Sequence, residues 1–123
     1  MNQYAERTIQ RIKALIKQIA KLVDQLPKRP STFRIVDQIM GSSTSIGANF
    51  TEAQHARSKK EFISTLGIAV KEAHETIFWL DTIKDLELAS ATQVNPILVE
   101  ASEISKILTS AILTSLKINN HPS

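Results

Sequence analysis

YAERTIQRIKALIKQIAKLVDQL, residues 4–26, sets Ile9, Ile12, Ile16, Ile19, Val23 and Leu26 at three- and four-residue intervals, with Leu15 and Leu22 widening the stripe. That spacing lines one face of a 3.6-residue helix, whereas a half-buried strand would alternate every second residue. Pro27 must end the helix, because a proline ring there removes a backbone donor and clashes with the preceding turn. The connector runs Pro27-Lys28-Arg29-Pro30-Ser31, and Ser31 or Thr32 is the expected cap of the next element.

Three further helices follow outward from this one. A second periodic run, Ile35, Val36, Ile39, Met40, Ser43, Ile46, Gly47, Phe50 and Ala53, predicts a helix over 32–56. Gly41 and Gly47 each cost roughly 1 kcal/mol relative to Ala inside it, a cost usually tolerated where backbones come close. Together with Ser42, Ser43 and Ala48 they predict tight packing. Ser58-Lys59-Lys60-Glu61 has the form of a capping box in which Ser58 and Glu61 satisfy each other's amides, so a third helix is expected over 59–87. Its main stripe is Phe62, Leu66, Ala69, Ala73, Ile77 and Leu80, while Ile68, Trp79 and Leu86 lie on another side and predict a second covered face. A neighbouring subunit is the simplest cover. Asn95-Pro96 reads as N-cap and first residue of a fourth helix over 95–118; Ser90 with Gln93 offers an earlier start, which would put Pro96 in the helix interior. Residues 119–123 are expected to be a tail.

Composition agrees with an all-α reading. The chain has 123 residues, 42% hydrophobic and 22% charged, which suits one soluble domain over residues 1–118 rather than disorder. Only 3 Gly and 4 Pro are present, too few turn residues for a sandwich or barrel of many short strands. Four helices of about 20 residues with short connectors form an antiparallel up-down-up-down four-helix bundle by default. No apolar signal segment fits the charged N-terminal residues, and Ile107 to Leu116 is too short and too rich in Ser and Thr to span a membrane. A cytoplasmic protein without membrane contact is expected.

The chemistry-bearing residues are sparse. With no Cys there is no disulfide, thiolate nucleophile or Cys-based metal site. Glu52-Ala53-Gln54-His55 matches the Glu-x-x-His spacing of dimetal bundles but occurs once, and such sites need it twice with two further glutamates. Nothing resembles a nucleophile elbow or a phosphate-cradling glycine loop. Glu72 and Glu75 are paired carboxylates of a kind that can do acid–base work, yet with Lys71 and Trp79 each four residues from Glu75 a salt-bridged subunit contact explains the same residues better. The expectation is therefore no enzyme, no catalytic residue, no metal and no cofactor.

Charge gives the sharper lead. Residues 1–34 hold eight cations against two carboxylates, a net of +6, while the rest of the chain carries −3. Arg7 and Arg11, Lys13 and Lys17, and Lys17 and Lys21 are like-charge pairs at i, i+4, each costing about 0.2–0.5 kcal/mol in an isolated helix. Phosphates of RNA or DNA would offset that repulsion, so Arg7, Arg11, Lys13, Lys17, Lys21, Lys28 and Arg29 are the candidate nucleic-acid-binding residues. The competing expectation is a protein-interaction scaffold whose basic face meets acidic residues of a protein partner or of a neighbouring copy.

The stretch Gln38 to Ala53, with Ser45-Ile46-Gly47-Ala48-Asn49 and Glu52-Ala53 at its centre, is followed by Ser58 to Ile63 and by Lys71-Glu72-Ala73-His74-Glu75-Thr76. These segments resemble the bacterial four-helix-bundle family that includes the proteins encoded by intervening sequences of large-subunit ribosomal RNA genes. The resemblance implies an antiparallel bundle that assembles as a homo-oligomer. That family is similar in fold to the accessory protein of diversity-generating retroelements, a basic pentameric barrel that binds nucleic acid and the reverse transcriptase. By that likeness a pentamer holding RNA or DNA is implied here. Gly41 stands where members of this branch often carry an arginine before the serine pair, which removes one cation from the second helix. Matched positions Ser45, Asn49 and Glu52 on that helix, and Glu72, Glu75 and Trp79 on the third, are expected to form an oligomer contact or a buried polar network.

Overall fold

The computed structural model describes residues 1–119, which form four α-helices: α1 (Gln3–Asp24), α2 (Pro30–Gln54), α3 (Lys59–Asp85) and α4 (Ala91–Asn119). α1 packs on α2, α2 on α3 and α3 on α4, and α4 closes the ring against α1, giving an all-α antiparallel four-helix bundle. Of the expected tail, Asn119 belongs to α4 and the remainder lies outside the described residues.

The stripes converge as their spacing requires. Ile12, Leu15 and Ile19 from α1, Ile39, Ile46 and Phe50 from α2, Leu66, Leu80 and Ile83 from α3, and Ile104 and Leu108 from α4 are fully or almost fully buried in one core. Removing these side chains from water is the main drive for closing the bundle, since isolated helices of this length are marginal.

Helix ends correct three sequence expectations. α2 begins at Pro30 with Arg29 as N-cap and no side-chain cap, so neither Ser31 nor Thr32 serves as one; proline's missing amide falls where no intrahelical partner exists. At α3 the Ser58 hydroxyl accepts from the Glu61 amide at 3.0 Å, but the Glu61 carboxylate accepts from the Arg57 amide, one residue before the expected Ser58. α4 begins at Ala91, not at Asn95. The Ser90 hydroxyl accepts from the Gln93 amide at 3.2 Å and the Gln93 side chain accepts from the Ser90 amide at 3.0 Å, a reciprocal capping box. The added turn buries Val94 completely, while Pro96 and Thr92 are exposed, so water can satisfy the Thr92 carbonyl that proline leaves without a donor.

The turn from α3 into α4 uses a left-handed residue that is not glycine. Glu87 has φ 55°, its amide donates to the Lys84 carbonyl and the Leu88 amide donates to the Ile83 carbonyl, both at 3.0 Å. This is a Schellman ending, and the burial of Leu88 supplies its apolar contact.

The two glycines of α2 differ. A Cβ at Gly47 would meet the Ile12 Cγ2 atom at 3.4 Å, so this is where α1 lies against α2. A Cβ at Gly41 would meet nothing within 4 Å, and Ala48 is exposed. The tight packing expected at both positions is absent from this chain's own bundle, because they lie on the outward face of α2.

Candidate nucleic-acid interface

α1 buries Ala5, Thr8, Ile9, Ile12, Leu15, Ile19 and Leu22, and this commitment turns its cations outward. Arg7, Arg11, Lys13, Lys17 and Lys21 are all exposed. From Arg7 to Lys21 the helix rises about 21 Å at 1.5 Å per residue. Lys28 and Arg29, exposed in the connector before α2, extend the basic line to one end of the bundle.

The cations are not equivalent. Arg11 is committed to Glu100 of α4, its Nη2 donating to Oε1 at 2.7 Å and its Nε to Oε2 at 3.0 Å. That two-pronged hydrogen bond, with the charge of Glu100, raises the Arg11 pKa further and relieves the repulsion from Arg7. Among the described residues the remaining ion pairs are Lys84 with Asp81 at 3.9 Å and Lys106 with Glu103 at 3.8 Å. Arg7, Lys13, Lys17, Lys21, Lys28 and Arg29 therefore keep their charge without a carboxylate partner there.

The expected polar rows on α2 and α3 are largely separate. The Asn49 amide donates to the Ser45 carbonyl at 2.9 Å and to its hydroxyl at 3.1 Å, so these two satisfy each other within α2, and Glu52 is exposed. On α3, Glu72 is partly buried, Glu75 is exposed, and Trp79 meets Phe78 edge to face at a centroid distance of 4.9 Å. Burial, then repulsion from Glu75 and a hydrogen bond to it, raises the Glu72 pKa against the opposing pull of Lys71. Among the described residues no side-chain hydrogen bond joins the two rows.

The polar link between these helices runs through other residues. The Thr76 hydroxyl lies 2.9 Å from both the Glu72 carbonyl and the Ser42 hydroxyl, and the Ser42 hydroxyl also reaches the Ile39 carbonyl at 3.3 Å. The Ser42 and Thr76 side chains are both buried. Thr76 had a visible signal, a hydroxyl on the same face as Ala69, Ala73 and Leu80, but its pairing needs the α2–α3 register.

Ile68 and Leu86 are about half exposed on the outward side of α3 in the single chain, together with Phe78. His55 is the exposed C-cap of α2, and no group of three His, Cys, Asp or Glu side chains that could hold a metal converges among the described residues. No helix among these residues is long and apolar enough to cross a membrane. The structure also brings in Lys106, absent from the sequence-based set, which shares a cleft between α1 and α4 with Arg7 and Arg11.

The class these features define is an all-α four-helix bundle with an exposed, mostly unpaired basic helix. Within that class the chain belongs to the family of the 23S rRNA-intervening sequence protein, whose family model matches residues 6–110. Among solved structures it is similar to a protein with unknown function from the S23 ribosomal protein family of Bacteroides thetaiotaomicron. The two are 36% identical with a TM-score of 0.79, and the alignment covers 85% of this chain and 97% of that one. No curated protein matches the chain significantly.

Proposed function

We propose that this protein is a non-catalytic bundle that binds the phosphates of RNA or DNA through the outward face of α1. The observation that carries this reading is the run of exposed cations, Arg7, Lys13, Lys17, Lys21, Lys28 and Arg29, without an ion-pair partner among the described residues. Carboxylates satisfy exposed lysines in many helices; here three i, i+4 repulsions are built in and only the one at Arg11 is relieved internally. A polyanion relieves the others, releasing counterions as it binds. The family's name refers to a ribosomal RNA, which makes RNA the first ligand to test.

Assembly into a homo-oligomer, with a pentamer as the expected ring, belongs to the same reading. Ile68, Phe78 and Leu86 on the outward side of α3 are the surface a second copy would cover, with Trp79 at its edge. A second reading makes the protein a scaffold, in which the α1 cations meet a neighbour's carboxylates. It is favoured by the exposed acidic residues Glu75 and Asp85 of α3 and Glu87 of the turn that follows it.

Fluorescence anisotropy with labelled RNA and duplex DNA of equal length, at two salt concentrations, separates the readings. Phosphate binding predicts micromolar or tighter affinity that falls steeply with salt. Reversing Arg7, Lys13, Lys17 and Lys21 to Glu should weaken binding by at least about tenfold while leaving the mass in solution unchanged. If the wild-type chain binds neither ligand at low salt, the proposal is wrong. If the reversal lowers the assembled mass, the scaffold reading takes its place.

A further inference from the structure

We propose that the cleft between α1 and α4 seats one unpaired base of a single-stranded nucleic acid, with Tyr4 as its stacking surface and Arg7 and Lys106 on the adjoining phosphate. The inference rests on the phosphate-binding reading above and adds to it a site and a strand preference. The cleft is an open groove of about 470 Å³ between the first turns of α1 and the second half of α4. That volume is within the range of pockets that hold small planar ligands. Tyr4, Arg7 and Arg11 line one side; Lys106, Ile107 and Ser110 line the other.

Each part has a physical reason to be there. Tyr4 is the only tyrosine of the chain and is 47% exposed, an aromatic ring left in solvent at the edge of a basic surface. Its backbone is held, because Asn2 caps the first turn through the Ala5 amide at 2.8 Å and the Thr8 hydroxyl donates to the Tyr4 carbonyl at 3.0 Å. Ring faces of this kind stack on any base, while Ile107 gives the same cleft an apolar wall. The bidentate Arg11–Glu100 contact ties the two helices together at the cleft and cancels Glu100 as a source of repulsion.

The remaining charges favour an anion. Arg7 has no carboxylate partner among the described residues, and Lys106 is held only by an exposed Glu103 three residues away at 3.8 Å. An exposed i, i+3 pair of this sort is weak and yields to a phosphate. With Arg11 balanced by Glu100 and Lys106 by Glu103, Arg7 leaves one net positive charge, the complement of one phosphodiester. Arg7 also borders the exposed basic face, so a strand leaving the cleft continues along α1 toward Lys17 and Lys21. A duplex keeps its bases stacked inside and cannot insert one here without unpairing it.

The test compares a labelled single-stranded RNA, the same sequence as DNA, and a duplex of equal length against the full chain and its Tyr4→Leu and Tyr4→Trp variants. Tyr4→Leu should weaken single-strand binding by about tenfold, the lower range of one lost base stack, and leave duplex affinity and its salt slope within about twofold. Tyr4→Trp should restore the single-strand affinity. Circular dichroism should be the same for all three chains, since Tyr4 is exposed. Equal losses on single strand and duplex, no loss on either, or a Trp variant as weak as the Leu variant would each overturn the base-seating site. Those outcomes leave phosphate binding by α1 standing; absence of all binding by the wild-type chain would remove both.

Discussion

The α2–α3 and α1–α4 contacts belong to one bundle yet are built from opposite materials. α2 and α3 are the most closely packed pair, joined across small side chains and the buried Ser42–Thr76 hydroxyl contact. α1 and α4 are the least closely packed, tied by the partly exposed Arg11–Glu100 pair and separated by a cleft. Small residues let two helix backbones approach closely, whereas long charged side chains can bridge a wider gap. The α2–α3 side is therefore closed, and the α1–α4 side is left with a cleft.

The strongest way to break this comparison is to truncate each side in turn. Leu80→Ala, in the fully buried part of α3, should cost about 2–5 kcal/mol in denaturant unfolding. Ile107→Ala, on the cleft wall, should cost clearly less; equal costs would show that the cleft is as closely packed as the core. Ser42→Ala removes the hydroxyl that pairs with Thr76 and should cost about 1 kcal/mol, measured the same way.

The turn that carries the chain from the closed side to the open one offers a gain. Glu87 occupies a left-handed conformation that costs an L-residue roughly 1–2 kcal/mol. Glu87→Gly should raise stability by about 0.5–1 kcal/mol after the added freedom of the unfolded chain is subtracted. A loss instead would mean that the Glu87 side chain has a role of its own.

A double-mutant cycle on Arg11 and Glu100 should give a coupling of about 0.2–1 kcal/mol that shrinks with salt, because both side chains are partly in water. A larger, salt-insensitive value would make the open side as firmly held as the closed one. The smallest effect is on α3. Glu72 has a raised pKa in the folded chain, so the folded state holds its proton more tightly than the unfolded one. Its contribution to stability therefore falls as pH rises from the ordinary carboxylate range to the raised folded value. Glu72→Gln should raise the melting temperature slightly at neutral pH and leave it unchanged in acid below that window.

Helix existence was legible because it depends on local spacing. Ile9 to Leu22 on α1 and Leu66 to Leu80 on α3 repeat at the helical period, and each stripe enters the core. α4 starts earlier than the Asn95-Pro96 pair predicts because the cost of Pro96 is outweighed by gains made elsewhere, the burial of Val94 and the Ser90–Gln93 box. Gly41 lacks the predicted close neighbour for a related reason: glycine in a helix marks a place without a side chain, and only the neighbouring helix decides whether anything fills it. At the candidate interface the exposed cations of α1 could be named from the stripe opposite them. The loss of Arg11 to Glu100, 89 residues away, could not.

The sequence by itself determined the number and kind of the elements, the face each one buries and the side on which its positive charge collects, since these follow from residues within a few turns of one another. Only the tertiary structure decided that Ser42 meets Thr76, that Arg11 is already paired and that Tyr4, Arg7 and Lys106 border one cleft. Such meetings depend on axial register and on how closely two helices approach, and both are set by the packing of side chains from distant parts of the chain.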